Sequence, residues 1–241
     1  MLRENAVFLW EKHCGVTDRG GSMMDYAEVQ KRTSIVEASR RLLAQGLSHG
    51  TSGNISIRHG DRLLITPSGV PCDRMSPEEI VEMEFNGNWH GALRPSSEWR
   101  FHIDILNSRK DINAVVHCHP VYATSLAICG REIPAIHYMI AAAGGENVRC
   151  AKYVTFGTQK ISDNVLAAMQ GRNCCLLANH GMIATGVNLE RALWLAAELE
   201  NLAQQYVISL SIGHPLMLSG EEIEKNIELF KHYGPKEISE K

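Results

Sequence analysis

No stretch of this 241-residue chain is apolar for long enough to cross a bilayer, which takes about 20 residues. A membrane partner is not expected. There is no Lys/Arg stripe either. The 24 basic and 27 acidic residues leave a net charge of −3, which argues against nucleic acid as the main partner. The Walker pattern and Gly-x-Gly-x-x-Gly are both absent, so nucleotide and nicotinamide chemistry lack their usual loops. Ala6 to Trp10 is apolar but short, with Glu4 and Glu11 beside it and no small-residue cleavage site after it, so it does not read as a signal peptide. The seven Cys are scattered, odd in number and include the neighbours Cys174 and Cys175. A reducing, cytoplasmic compartment fits them better than a disulfide framework. No repeat, low-complexity tract or linker interrupts the chain after residue 25.

Hydrophobic residues make up 44% and charged residues 21%, an ordinary globular balance. Gly20-Gly21-Ser22 is a flexible break, and Met23 or Met24 could serve as the functional start. Residues 1–24 are therefore expected to be an extension outside the fold, with one domain over 25–241. Asp25 can cap a first helix, in which Ile35, Ala38, Leu42 and Leu43 form a stripe and Gly46 suits a left-handed end. Strands are expected at Ile55–Ile57 and Leu63–Ile65. Ser76-Pro77-Glu78-Glu79 is a capping box, followed by a polar link with Asn86-Gly87-Asn88. Further helices are expected after Pro95-Ser96-Ser97-Glu98, from Pro120 to Leu126, from Ser162 as a cap to Gly171, and from Asn188 onward as the last long helix. Helices mixed with short hairpin-like strands predict a single α/β domain with a largely antiparallel sheet.

The chemistry centres on Ala114-Val115-Val116-His117-Cys118-His119-Pro120, which reads as the end of a buried strand. Residues i and i+2 of a strand share a face, so His117 and His119 can aim at one point. Two neutral imidazoles are half of a zinc or similar divalent site. His180 also ends an apolar run, Cys174 to Ala178, and three His would leave one coordination position open for catalysis. Upstream lie three turns that put hydroxyls or amides beside glycine or a helix start: Thr51/Gly53/Asn54, Ser68/Gly69 and Ser96/Ser97. Such turns let backbone N–H groups approach an anion such as phosphate. Glu98 follows the serine pair. A metal-bound carbonyl acidifies its neighbouring C–H, and a carboxylate poised there can take that proton. On spacing alone, Glu98 reads more readily as an acid that favours the dipole at a helix start. His102, four residues on, could face the same way and is read as structural. The residues point to metal-assisted chemistry on a small phosphorylated molecule.

The combination of Gly53-Asn54-Ile55-Ser56, Thr66-Pro67-Ser68-Gly69, Ser96-Ser97-Glu98-Trp99, His117-x-His119-Pro120 and Asn179-His180-Gly181 resembles the class II aldolase/adducin family. Pro134 to Gly145 and Ala192 to Ala196 extend the likeness, which runs from about residue 26 to about residue 237. It is greatest to the branch that cleaves ketose 1-phosphates such as L-fuculose 1-phosphate. The resemblance implies a layered α/β/α domain, assembled as a homotetramer with sites between subunits. It implies one zinc ion per subunit on His117, His119 and His180, with Glu98 as the acid/base that also touches the resting metal. Thr51, Gly53, Asn54, Ser68, Gly69, Ser96 and Ser97 would hold the phosphate. Tyr138 and Tyr233 match tyrosines that act near the aldehyde end, and Phe156 matches a residue of the aldehyde pocket. Products would be dihydroxyacetone phosphate and a lactaldehyde-type aldehyde. The alternatives are 5-deoxyribulose 1-phosphate or 5-methylthioribulose 1-phosphate as substrate. A sugar-phosphate 4-epimerase of the same family typically carries Asp where this chain has Glu98. A dehydratase of the same fold is disfavoured by the Ser-Ser-Glu-Trp run, and the metal-free adducin head by the complete His set. Cys118 and Pro120 depart from the L-fuculose 1-phosphate branch next to the ligands, which bears on the aldehyde and not on the metal.

Overall fold

The computed structural model describes residues 23–230, together with Thr17 and Gly21. The expected extension, and Tyr233, fall largely outside the described residues. Of residues 1–24, Thr17 and Met23 form an isolated antiparallel bridge, and Met24 is buried. Helix α1, Tyr26–Ala44, begins at Asp25, whose carboxylate accepts from the Glu28 N–H at 2.7 Å. It buries the expected Ile35, Ala38 and Leu42, while Gly46 adopts φ +70° just beyond it.

Eight strands follow: β1 Asn54–His59, β2 Arg62–Ile65, β3 Val81–Glu84, β4 Trp89–His90, β5 Ala114–Cys118, β6 Cys150–Ala151, β7 Cys174–Leu177 and β8 Gly181–Gly186. They form one sheet in the order β4-β3-β2-β1-β5-β8-β7-β6. Every neighbouring pair is antiparallel except β6 with β7. The remaining helices are α2 Trp99–Ser108, α3 Val121–Ile128, α4 Gln159–Ala168, α5 Leu189–Ile212 and α6 Gly220–Phe230.

Alternation along the strands divides the interior into two layers. On one face Ile55, Ile57, Val116, Cys118, Leu176 and Met182 meet α1, α3 and α5. On the other, Leu63, Ile65, Val115, Cys175 and Ile183 meet α2 and α4. This is the layered α/β/α arrangement expected. His117 takes the second face, beneath α2, and its edge meets the Phe101 ring with centroids 5.4 Å apart.

Three local expectations need correction. Ser162 is not a cap. The helix begins after Thr158, and Ser162 sits inside it, buried, donating to Asp104 Oδ2 at 2.6 Å. A serine beside a charged partner on the next helix mimics a cap in sequence. The polar link at 86–88 is the turn of a hairpin: Val81 and Met83 point inward, Glu82 and Glu84 outward, and the capping box supports only a three-residue 3-10 turn, Pro77–Glu79. The chain also adds α6 beyond what was expected to be the last long helix. Only Ile223 of that helix is buried, so its apolar signal is short.

Candidate metal centre

Two cross-strand facts build the site. Asn54 and His117 are direct partners in the β1–β5 ladder, on the face covered by α2. His117 is 0% exposed, and its Nδ1 donates to the Met182 carbonyl on β8 at 2.9 Å. That bond fixes the tautomer and leaves the Nε2 lone pair facing the site. His119 follows two residues later, past the strand end but on the same side. Its Nε2 lies 2.9 Å from His117 Nε2. His180 comes from the tight β7–β8 connection. There Asn179 takes φ +54°, a left-handed conformation that Asn tolerates better than most residues. Gly181 is required next to it: a Cβ there would come within 2.5 Å of the His119 ring and 2.6 Å of the Cys118 carbonyl. Gly53, at φ +86°, passes the other side of the ligand strand, where a Cβ would lie 2.9 Å from the His117 carbonyl.

The three imidazoles stand edge to face, with centroids 4.7–4.9 Å apart and ligand atoms within 4.8 Å of one another. Glu98 closes the ring from the start of α2. Its Oε2 is 3.1 Å from His117 Nε2, and its Oε1 is 3.1 Å from His180 Nε2. Oε2 also accepts from the Asn54 amide at 2.9 Å. Oε1 is buried and its close polar neighbour is His180 Nε2, itself one of the converging ring nitrogens. Burial by itself would raise the Glu98 pKa, but the charges and hydrogen bonds of His117 and His180 outweigh it and hold the carboxyl well below the usual range. His117 is also buried, yet Glu98 raises its pKa. Burial, aided by the charges on His117 and His180, holds His119 down to about 3. Lone pairs of two imidazoles at 2.9 Å repel unless a proton or a cation lies between them. Glu98 Oε1 faces the same point. This donor set, N₃O with His117 buried and His119 and His180 partly buried, fits a divalent cation such as zinc.

The expected phosphate turns come together by backbone hydrogen bonds. Ser96 N–H donates to the Thr66 carbonyl, Ser68 N–H to Arg94, and Thr66 N–H to Ile55. Thr51, Gly53 and Asn54 line one small cavity with Thr66 and Pro67. Ser68, Gly69, Ser97 and Thr51 are exposed; Ser96 is buried and its hydroxyl accepts from the Glu98 N–H. Asn54 differs from the rest, because both polar atoms of its side chain are already engaged, on Glu98 and on His102. Phe156, 63% exposed, precedes Gly157, which lies against the Ser97 carbonyl at the start of α2. Tyr138 is half exposed. Its ring contacts are with His137 and Phe230, beside a cleft formed with Met139, Asn226 and Leu229.

Three residues contribute more than their sequence positions suggested. Glu200 on α5 accepts from the N–H groups of Tyr122 and Ala123, capping α3 just after His119-Pro120, where Pro120 offers no side-chain cap. Ser56 and His102 join Asn54 in a buried hydrogen-bonded chain. Only the i,i+4 spacing of Glu98 and His102 hinted at it.

A metal-ready His trio at the strand ends of an α/β/α sheet, with a carboxylate at a helix start, fits the class of metal-dependent enzymes. Residues 33–207 match the model of the Class II Aldolase and Adducin N-terminal domain, and the chain belongs to that family. Among its relatives is a 5-methylthioribulose-1-phosphate/5-deoxyribulose-1-phosphate aldolase of Rhodospirillum rubrum, 50% identical over 88% of this chain and 96% of that protein. The L-fuculose phosphate aldolase of Escherichia coli strain K12 is 49% identical over 83% and 94%. A solved structure of an L-fuculose 1-phosphate aldolase superposes with a TM-score of 0.82 at 39% identity, covering 84% of this chain and 96% of that one. The chain is thus a class II aldolase acting on ketose phosphates. No helix among the described residues is long and apolar enough to cross a membrane.

Proposed function

We propose that this enzyme reversibly cleaves a ketose 1-phosphate, L-fuculose 1-phosphate in the first instance, into dihydroxyacetone phosphate and a lactaldehyde-type aldehyde. The observation that carries the reading is the buried Glu98 carboxylate set against the point where His117, His119 and His180 converge, with Oε1 3.1 Å from His180 Nε2. A zinc ion held by those three His would supply a Lewis acid for the ketose carbonyl and the adjacent hydroxyl. Glu98, ionised and fixed through Oε2, moves the proton at C3 of the dihydroxyacetone phosphate portion with Oε1. The turns at Thr51/Gly53, Ser68/Gly69 and Ser96/Ser97 orient the phosphate with backbone and hydroxyl donors. Asn54 acts chiefly on Glu98. Tyr138, Phe156 and Tyr233 surround the aldehyde end.

We also infer a homotetramer with sites between subunits, residing in the cytoplasm. Half-exposed Tyr138 suits a residue offered to a neighbouring site, and six cysteines among the described residues are free thiols. The folded domain is taken as residues 25–241.

Relatives with either substrate name are nearly equal in identity to this chain. The aldehydes differ by a methyl or thioether group, and such differences are worth only ~1–3 kcal/mol in a pocket. The reading therefore includes turnover of 5-deoxyribulose 1-phosphate and 5-methylthioribulose 1-phosphate. Comparing kcat/KM across the three ketose 1-phosphates, before and after chelation and zinc restoration, tests it. Chelation should abolish cleavage and zinc should restore it. Full activity in metal-free protein would sink the proposal, and a preference outside the L-fuculose compound would reassign the substrate.

A further inference from the structure

Four side chains form one buried line from the sheet to the carboxylate. Ser56 Oγ is 2.7 Å from His102 Nδ1. His102 Nε2 is 2.6 Å from Asn54 Oδ1. Asn54 Nδ2 is 2.9 Å from Glu98 Oε2. Ser56 and His102 are 0% exposed, Asn54 6% and Glu98 7%. The geometry is a clasp between two elements: Glu98 and His102 share a face of α2 at i,i+4 spacing, and Asn54 and Ser56 share a face of β1 at i,i+2.

The hydrogen-bond polarity of this line has one solution. An ionised carboxylate only accepts, so Asn54 must turn its NH₂ to Glu98 and its carbonyl to His102. A carbonyl only accepts, so His102 must carry its proton on Nε2. The ring is neutral, because burial and the neighbouring His117 charge hold it down to about 3. Nδ1 is then an acceptor, and the Ser56 hydroxyl must donate. Every proton in the line points toward Glu98.

We infer that His102 and Ser56 are positioning residues for Glu98: they lock the amide of Asn54, which anchors Oε2 and leaves Oε1 as the single oxygen free for proton transfer. Neither touches substrate, and neither is among the three converging imidazoles. Without the lock the Asn54 amide can swing away from Oε2, and the two carboxylate oxygens become interchangeable. The loss should fall on proton transfer rather than on binding. The inference rests on Glu98 being the acid/base of the proposed aldolase.

The test combines imidazole ¹⁵N NMR with kinetics of zinc-loaded protein. In wild type, His102 should show a protonated Nε2 and a pyridine-type Nδ1, with or without zinc. His102→Phe should keep zinc content and KM while kcat falls about 10–100-fold, the usual cost of losing a residue that orients a metal-site group. Exchange of the dihydroxyacetone phosphate C3 proton with deuterated water, which needs no aldehyde, should fall in parallel. His102→Gln, which can offer an N–H where Nε2 lies, should recover most of the loss. Ser56→Ala, a milder change that covers the case of a misfolded Phe variant, should lower kcat less, again with KM and zinc unchanged. A protonated Nδ1 in wild type overturns the inference. So does a wild-type exchange rate in His102→Phe, or a loss confined to zinc content. If wild type exchanges no proton at all, the aldolase reading and the positioning role fall together, whereas exchange that persists unchanged in the variants removes the positioning role alone.

Discussion

Around His117 the molecule hides polar atoms, while at the junction of α5 and α6 it displays apolar ones. The first region buries Asn54, Ser56, Glu98, His102 and His117 to below 9% exposure and pairs nearly every polar atom. Glu98 Oε1 faces His180 Nε2 at the point where the three imidazoles converge, as suits a cation site. In the second region, Ile212 is 81% exposed, Leu216 91% and Met217 52%, with Ile208 and Leu210 close by in sequence. That segment is nonetheless held in place, since Leu218 N–H donates to the Ala135 carbonyl. An unpaired buried charge costs far more than an exposed leucine, so the polar centre must be completed within the chain and by its ion. An exposed apolar surface of this kind is where the proposed assembly of subunits can be tested. One region is built for chemistry and the other is a candidate subunit contact, and the two should fail differently when altered.

The sharpest way to break that contrast is at Glu98. Glu98→Gln keeps the shape and removes the base, so kcat should drop ~10²–10⁴-fold while KM moves little. Zinc content must be measured in the same sample, because Glu98 faces the metal position. If zinc-loaded Glu98→Gln exchanges the dihydroxyacetone phosphate proton at the wild-type rate, the buried centre is not where proton transfer occurs, and Tyr138 becomes the next candidate.

A smaller effect should appear in the stability of metal-free protein as pH falls. The folded-state pKa of His102 is depressed to about 3, chiefly by burial and then by the His117 charge. The unfolded chain therefore takes up a proton below about pH 6.5 that the folded chain refuses. The contribution of His102 to stability is intact above that pH and is lost progressively down to about 3, with a slope of about 1.4 kcal/mol per pH unit. His119, also depressed, acts in the same direction. His117, raised by Glu98, acts in the opposite one, stabilising below its ordinary value and losing that contribution as pH rises. Urea midpoints of wild type and His102→Phe, compared from pH 7 to pH 4, isolate the first effect: the difference between them should shrink as pH falls. Parallel profiles would show that His102 is not held neutral.

The smallest effect belongs to the apolar exterior. Leu216→Asp should change the stability of the folded chain by no more than about 0.5 kcal/mol, as expected for an exposed position. Its mass in solution should nevertheless fall if this surface joins subunits. Light scattering together with thermal melts decides the matter. An unchanged mass would remove this surface from the assembly, and a large loss of stability would show that the residue is not truly exposed in function.

Much of the fold was legible because its signals are local. The α1 cap at Asp25, the left-handed Gly46 and the helix from Asn188 depend on neighbours within a turn or so, and they stand where expected. The β3–β4 hairpin escaped because four alternating residues after a capping box carry little periodic weight. Ser162 misled because its partner, Asp104, is distant in sequence. The converging His trio was legible from strand alternation and the Asn-His-Gly turn. The roles of Asn54, Ser56 and Glu200 were not, since each depends on which element lies opposite.

By itself the sequence determined the chemistry available: three imidazoles, one carboxylate at a helix start, hydroxyl-rich turns, and glycines where the backbone must pass close. Residue type and short-range spacing fix those. Tertiary structure alone decided how the groups are paired. The β1–β5 register sets Asn54 opposite His117, and the descent of α2 onto that face makes Asn54 a partner of Glu98 and His102. Hydrogen-bond direction in a buried site depends on every neighbour at once, and those neighbours come from β1, α2, β5 and β8, elements well separated along the chain.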